Sequence, residues 1–339
     1  MQAQFQEFVE KYSGRALKEF HKVIRSFVLF NLISLFVIAS ECVSLFYWIN
    51  FNPKSLPLAI NIALICLSLF TYFVLFTYFQ AKKPEELKKI KKWFISSLEE
   101  DIHAEKGTSE YHLLLANSSY QFSSFLHKSE YHCYKFPFSL SSFNILLRKL
   151  SFFLHWHDCH IMKEMLLLES ISEHGKLIKK EPTDLEAHAS LANAYIALSR
   201  LYKLPEDASL KWRLKFFLSS SSREKFHAAA KRAIEELKIL DAYSPKDPWV
   251  QAQLASCYHD LELTDEEIKA YESIIELYPE DRKILFRLGQ LYFKQGINSK
   301  GLKIYDSLKK LDKNAAIEMI EHYDSFIFGK FSETGPTSI

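Results

Sequence analysis

A chain of 339 residues, 48% of them apolar, has material for more than one hydrophobic core, or for a core plus a membrane segment, and is not a single small domain. Its 43 Lys and Arg against 41 Asp and Glu leave a net charge of +2, which gives no global reason to expect a nucleic-acid binder. With 8 Gly and 10 Pro it is poor in turn residues for a sandwich or barrel of short strands, so the expected class is all-α.

The charge is unevenly placed. Residues 1–92 carry 12 basic and 6 acidic side chains, and the remainder carries 31 and 35. The first segment, 1–26, is a basic stretch with Lys11, Arg15, Lys18, Lys22 and Arg25. Two apolar runs follow, Phe27 to Ile49 and Leu58 to Phe79. At about 1.5 Å per residue each can cross roughly 30 Å of hydrocarbon as a helix. Neither shows a polar stripe at helical spacing, so a transmembrane helical hairpin over 27–79 is expected rather than a soluble amphipathic pair. A cleaved signal peptide is not expected, because 26 residues precede the first run and a second run follows at once.

The loop Asn50 to Pro57 holds Pro53, Pro57 and one charge, Lys54, so the two helices are antiparallel neighbours. After the second run stand Lys82, Lys83, Lys88, Lys89, Lys91 and Lys92. Basic flanks are retained on the cytoplasmic side, which places both termini there and makes the chain a two-span integral membrane protein. Tyr47, Trp48, Tyr72 and Tyr78 supply interfacial rings. Glu41 is the one ionisable group inside a run, and an ionised carboxylate in hydrocarbon needs a partner or a proton. Antiparallel register puts it opposite Ile65, a turn from Asn61, and predicts a polar clasp with Asn61, Ser40 or Ser44, within the hairpin or between copies.

Residues 80–144 read as a juxtamembrane helical region without assignable repeats. Cys42, Cys66, Cys133, Cys159 and Cys257 are scattered and odd in number, and define no disulfide framework. The one dense set of potential ligands is His155, His157, Asp158, Cys159 and His160. On a helix, His155 and Cys159 share one face and His157 and His160 another, so a metal site there would need help from His132 or Cys133.

The C-terminal part repeats. Leu191, Ala192 and Tyr195 are echoed by Leu254, Ala255 and Tyr258, and then, 34 residues later, by Leu288, Gly289 and Tyr292. Each set is followed by a second helical pattern ending near Pro245, near Pro279, and at Lys313 where a third Pro is expected; Pro245 and Pro279 are again 34 apart. Thr264 or Asp265 is the expected cap of the second helix of the middle unit. This resembles the tetratricopeptide repeat family, in which two antiparallel helices form each unit. The small residue lets helices approach closely, the Tyr fills the adjoining gap, and the Pro stops the second helix.

The resemblance covers 145–313, with a diverged unit expected over 145–182, an insertion near 199–222, and a capping helix and tail over 314–339. Within the insertion, Lys211, Arg213 and Lys215 interleave with Trp212, Phe216 and Phe217. An α-solenoid of helix pairs with a concave groove for a protein or peptide is what the resemblance implies. Carried over from the family, the groove positions are Asn193 and Ile196, then Trp249, Ser256, His259 and Asp260, then Phe286, Gln290, Phe293 and Lys294. Asn193 matches one residue of the variant that clamps a terminal carboxylate, but Ala252 and Phe286 supply no cation for it.

No phosphate-loop, hydrolase or calcium-loop motif is found; GINSKG, Gly296 to Gly301, continues into Leu302 and lacks the phosphate-binding Lys. The resulting expectation is a non-enzymatic scaffold on the cytoplasmic face of a membrane, in keeping with a bacterial inner membrane, without catalytic residues, cofactor or metal. The alternatives are a membrane-complex subunit assembled through the hairpin and Glu41, and a metal-dependent enzyme centred on His155 to His160.

Overall fold

The computed structural model describes residues 2–51, 55–101, 105–127, 129–131, 141–203, 220–320 and 323. Among them there is no strand, and the chain divides into two compact units, Met1–Glu181 and Pro182–Ile339.

In the first unit α1 (Gln2–Phe51) and α2 (Ser55–Asp101) are single helices that pass through the apolar runs and continue beyond them. The basic stretch 1–26 is therefore the first half of a long helix. Its spacing explains why: Tyr12, Ala16, Phe20, Ile24 and Val28 recur every four residues and are buried. Leu87, Ile90, Phe94 and Leu98, spaced three or four apart, form a matching buried stripe on α2, which continues through Pro84. These two stripes meet α3 (Ser109–Phe125) and α4 (Ser141–Lys180) in one core that includes Leu115, Phe122, Leu126, Cys159, Met162 and Leu166. Thr108 caps α3 by accepting from the Tyr111 N–H, and a 3-10 turn, Ser129–Tyr131, precedes α4.

The diverged helix pair expected over 145–182 is replaced by one unbroken 40-residue helix that packs against α3. No turn chemistry interrupts 141–180 apart from Gly175, so the helical spacing runs on to the break at Pro182. The unit boundary falls at that proline, not at residue 145.

The second unit is a series of helical hairpins: α5 (Leu185–Tyr202) with α6 (Ser220–Tyr243), α7 (Pro248–Asp260) with α8 (Thr264–Leu277), and α9 (Arg282–Lys294) with α10 (Asn298–Leu311), followed by helical residues 313–320. The basic and aromatic residues 211–217 of the insertion and the end of the capping helix lie outside the described residues. The first helix of each pair opens on an aspartate, Asp184, Asp247 or Asp281, whose carboxylate accepts two backbone N–H groups of the first turn. Each aspartate stands two residues after a proline, Pro182, Pro245 or Pro279. Asp312 caps 313–320 in the same way, accepting from the Asn314 and Ala315 N–H groups. This last cap comes 31 residues after Asp281, so Lys313 is already inside the next helix instead of occupying a terminating proline position. Neither Thr264 nor Asp265 caps α8; Leu263 occupies the cap position without a side-chain bond.

The turns inside the second and third hairpins are copies of each other, 34 residues apart. Leu263 N–H bonds the Tyr258 carbonyl at 2.9 Å, and Ile297 N–H bonds the Tyr292 carbonyl at 2.8 Å. The residue before each is left-handed, Glu262 at φ 59° and Gly296 at φ 75°. The buried positions repeat as well: Leu191, Ala192, Leu254, Ala255, Tyr258, Leu288, Gly289 and Tyr292 are core residues, and Tyr195 is half-buried. A Cβ on Gly289 would collide with the end of Met319, so this glycine makes room for the 313–320 helix; Gly301 receives the Phe293 ring in the approach of α9 to α10.

Candidate functional site

Three places hold the residues singled out by the sequence: the apolar half of the α1–α2 hairpin, the junction where that hairpin meets α4, and the first helices of the C-terminal hairpins.

In the hairpin, large apolar side chains face outward, among them Leu35, Phe36, Val43, Phe46, Ile60, Leu67, Phe70 and Phe73. Both helices are long and apolar enough to cross a membrane. Polar groups meet between the helices. Ser68 donates to Glu41 Oε1 at 2.7 Å, Asn61 Nδ2 donates to Ser44 Oγ at 2.8 Å, and Tyr72 donates to Asn31 Oδ1 at 3.0 Å. The clasp exists, but Glu41 takes Ser68 rather than Asn61, Ser40 or Ser44. Ser40 bonds its own backbone at Val37. Tyr72 is turned into the hairpin, toward Asn31. One oxygen each of Glu41 and Asn61 is buried without a hydrogen-bond partner.

At the junction, Lys83 and Asp158 form a buried ion pair at 2.8 Å, each side chain 6% exposed. The Lys83 ammonium lies 3.6 Å from the centre of the Phe27 ring, Phe27 meets the His155 ring edge-on, and His155 Nδ1 is 3.6 Å from Asp158 Oδ2. Burial raises the Asp158 carboxyl, but the neighbouring His155 ring and the Lys83 charge outweigh it and hold it below its usual range. Burial drives the His155 pKa down despite Asp158. Thus two members of the proposed ligand cluster join three helices instead. Trp156 lies against His160, and Cys159 sits near Ser129 at 3.7 Å. Among the described residues no three His, Cys, Asp or Glu side chains are grouped to hold a metal ion; His132 and Cys133 lie outside them. In the sequence Lys83 is one of the basic flanks, and nothing local to it signals a partner 75 residues away.

Of the ten groove positions, Ile196 is 5% and Phe293 3% exposed, so neither offers surface to a partner. Ile196 packs with Ala192, Ala233 and Leu237, whereas Phe293 packs with Leu285, Leu308 and Met319. Phe286 is half-buried against that same C-terminal cluster. Trp249, His259 and Lys294 are exposed; Asn193, Ser256, Asp260 and Gln290 are half-buried. Two of these are engaged: Asp260 accepts from Lys203 at 2.8 Å, and His259 meets Arg287 at 2.7 Å. Arg287 in turn pairs with the buried Glu267 of α8 at 3.1 Å, a contact absent from the sequence reading. A second inter-helix set joins Tyr292 and Lys300 to Glu272.

No family model and no curated protein matches the chain.

Proposed function

We propose that the chain is a membrane-anchored scaffold, with the 27–79 hairpin crossing the bilayer twice and tetratricopeptide-like hairpins of 182–320 binding protein or peptide partners on its cytoplasmic face. The observation that carries the anchor is the hairpin's surface, where bulky apolar side chains stand outward while Glu41, Ser44, Asn61, Ser68, Asn31 and Tyr72 turn toward each other. That surface suits lipid and would drive aggregation in water. The basic flanks favour a cytoplasmic position for the rest of the chain and suit a bacterial inner membrane.

The repeated turn and the Pro-x-Asp entry to each hairpin support the tetratricopeptide resemblance. The groove then consists of Asn193, Trp249, Ser256, Gln290 and Lys294, with His259 and Asp260 at its margin. Tethering raises the local concentration of a partner without demanding tight affinity. The test is in-cell crosslinking of the full chain beside Trp249→Ala and Lys294→Glu variants, after extraction with alkaline carbonate. Retention in the membrane, with specific neighbours lost from the variants, is expected; identical neighbours in all three refute the groove.

A second reading, a membrane-complex subunit, is favoured by the buried oxygens of Glu41 and Asn61 that lack partners. Glu41→Gln separates the two. Loss of the native complex from this change alone supports the subunit, and unchanged neighbours support the scaffold.

A further inference from the structure

The carboxyl of Glu41 lies at the centre of the apolar hairpin. Ser68, which donates to Glu41 Oε1 at 2.7 Å, stands ten residues from one end of the run Leu58 to Phe79 and eleven from the other. At about 1.5 Å per residue this is roughly 15 Å of helix on either side, half the thickness of a hydrocarbon core. Ser44, one turn after Glu41 on α1, accepts from Asn61 at 2.8 Å, so the two bonds between the helices are successive rungs of one clasp.

Hydrogen-bond accounting leaves that clasp short of a donor. Glu41 Oε2 and Asn61 Oδ1 are both buried and both without a partner. A carboxylate oxygen and an amide oxygen are acceptors only, so with Glu41 ionised the clasp holds two orphan acceptors and a charge. Nothing in the runs neutralises the charge. Phe27 to Ile49 and Leu58 to Phe79 contain no Lys, Arg or His; Arg25 stands sixteen residues before Glu41, Lys54 thirteen after it, and Lys82 fourteen after Ser68. The other titratable groups of the two runs do not compensate either: Cys42, Cys66, Tyr47 and Tyr78 are exposed on the hairpin's surface, and Tyr72 donates to Asn31. One bond from a serine is far less than a carboxylate ion needs in hydrocarbon.

We infer that Glu41 is a proton-binding site within the bilayer, its carboxyl carrying a hydrogen on Oε2 while Oε1 accepts from Ser68. The inference rests on the anchor reading above, because lipid around the hairpin is what makes the ion costly. The proton removes the charge and turns the orphan Oε2 into a donor, in a clasp whose other orphan is an acceptor. Proton occupancy and closure of the hairpin are then linked. The acid lets the two spans pack, whereas loss of the proton leaves an anion at mid-membrane that draws in water or parts the helices.

The test uses the full-length protein in phospholipid vesicles and infrared difference spectra, parent minus Glu41→Gln, in light and heavy water. The glutamine keeps an oxygen for Ser68 and has nearly the shape of the acid. A protonated-carboxyl carbonyl band that is present in the parent, missing from the variant and lowered in frequency by heavy water is expected. A difference that contains only carboxylate bands overturns the inference. Ser68→Ala supplies a second measurement that does not depend on the glutamine variant. Freed of its hydrogen bond, the same carbonyl band moves to higher frequency; a band that stays in place, or no such band, contradicts the assignment. Alkaline carbonate extraction of the same vesicles separates the two readings. Protein retained with carboxylate bands alone overturns the proton site and leaves the anchor standing, and protein that washes off overturns the anchor and the inference with it. Far-UV circular dichroism matching the parent shows that each variant is folded.

Discussion

Removing Asp158 is expected to open the junction more than removing Lys83, although the two form one ion pair. Asp158→Ala leaves the Lys83 ammonium buried at 6% exposure, with only the Phe27 ring for compensation. Breaking one partner of a buried pair costs about 3–5 kcal/mol. The upper bound follows from chemistry: taking the proton off a lysine of ordinary pKa at pH 7 costs about 5 kcal/mol, so the site neutralises before it pays more. Lys83→Met leaves a buried carboxylate instead, but His155 Nδ1 stands 3.6 Å from it and can take up a proton in compensation. Protonating a histidine of ordinary pKa near neutrality costs about 1 kcal/mol; burial of His155 adds to this, while loss of the Lys83 charge and attraction to the unpaired Asp158 carboxylate offset it, so this variant loses about 1–3 kcal/mol. The double change Lys83→Met with Asp158→Leu removes both charges and loses less than the two singles summed. The assay is thiol labelling of Cys159, 1% exposed in the same core, with the other cysteines replaced. It reads opening of this junction without assuming that a two-unit chain unfolds in one step. At a factor of ten per about 1.4 kcal/mol, Asp158→Ala speeds labelling roughly 10²- to 10³-fold and Lys83→Met roughly 10- to 100-fold. Equal acceleration by both singles, or strict additivity in the double, refutes the reasoning.

Three further outcomes are expected. Gly301→Ala forces the Phe293 ring to move and costs about 1–3 kcal/mol, whereas Gly289→Ala displaces the flexible end of Met319 and touches Ile304 at ordinary contact distance, and stays within about 1 kcal/mol of the parent; urea midpoints read at the second unit compare them. Glu262→Gly relieves a left-handed residue and stabilises by about 1 kcal/mol, and Gly296→Ala loses a similar amount, both seen as shifts in Tm. Burial pushes the His174 pKa down to about 4, so between its ordinary value of 6.5 and 4 the unfolded chain binds the extra proton and the first unit loses stability as pH falls. The His174 share is roughly 3 kcal/mol at pH 4, His155 acts in the same direction, and a pH slope in Cys159 protection unchanged by His174→Leu contradicts it.

Much of the architecture was legible in the residues, and the gaps have definite causes. The apolar runs and the Leu, Ala and Tyr core positions depend on local composition and spacing, which a sequence displays directly. The core-packed halves of α1 and α2 are also on view, in Tyr12, Ala16, Phe20 and Ile24 and in Leu87, Ile90, Phe94 and Leu98. Composition alone hides them, because the apolar stretch begins at 27 and ends at 79, while a helix ends only where its backbone bonding does. Ser68 was missed as the partner of Glu41 because antiparallel register drifts with crossing geometry, and an offset of three residues selects a different side chain. Lys83 could not be paired with Asp158, since their meeting depends on how α4 docks. Ile196 and Phe293 were assigned to a groove by family position, but their apolar character and helical spacing suit a core equally well.

The 50-residue reach of α1 has a mechanical corollary. At about 1.5 Å per residue it is a rod of roughly 75 Å, with one end in the region suited to lipid and the other inside the four-helix core. No flexible tether intervenes along α1, and α2 passes the same level beside the Lys83 clasp. Tilting or thinning of the surrounding bilayer would therefore be felt at Tyr12 and Leu98 as a change of packing, in the way that pushing one end of a mast moves the other.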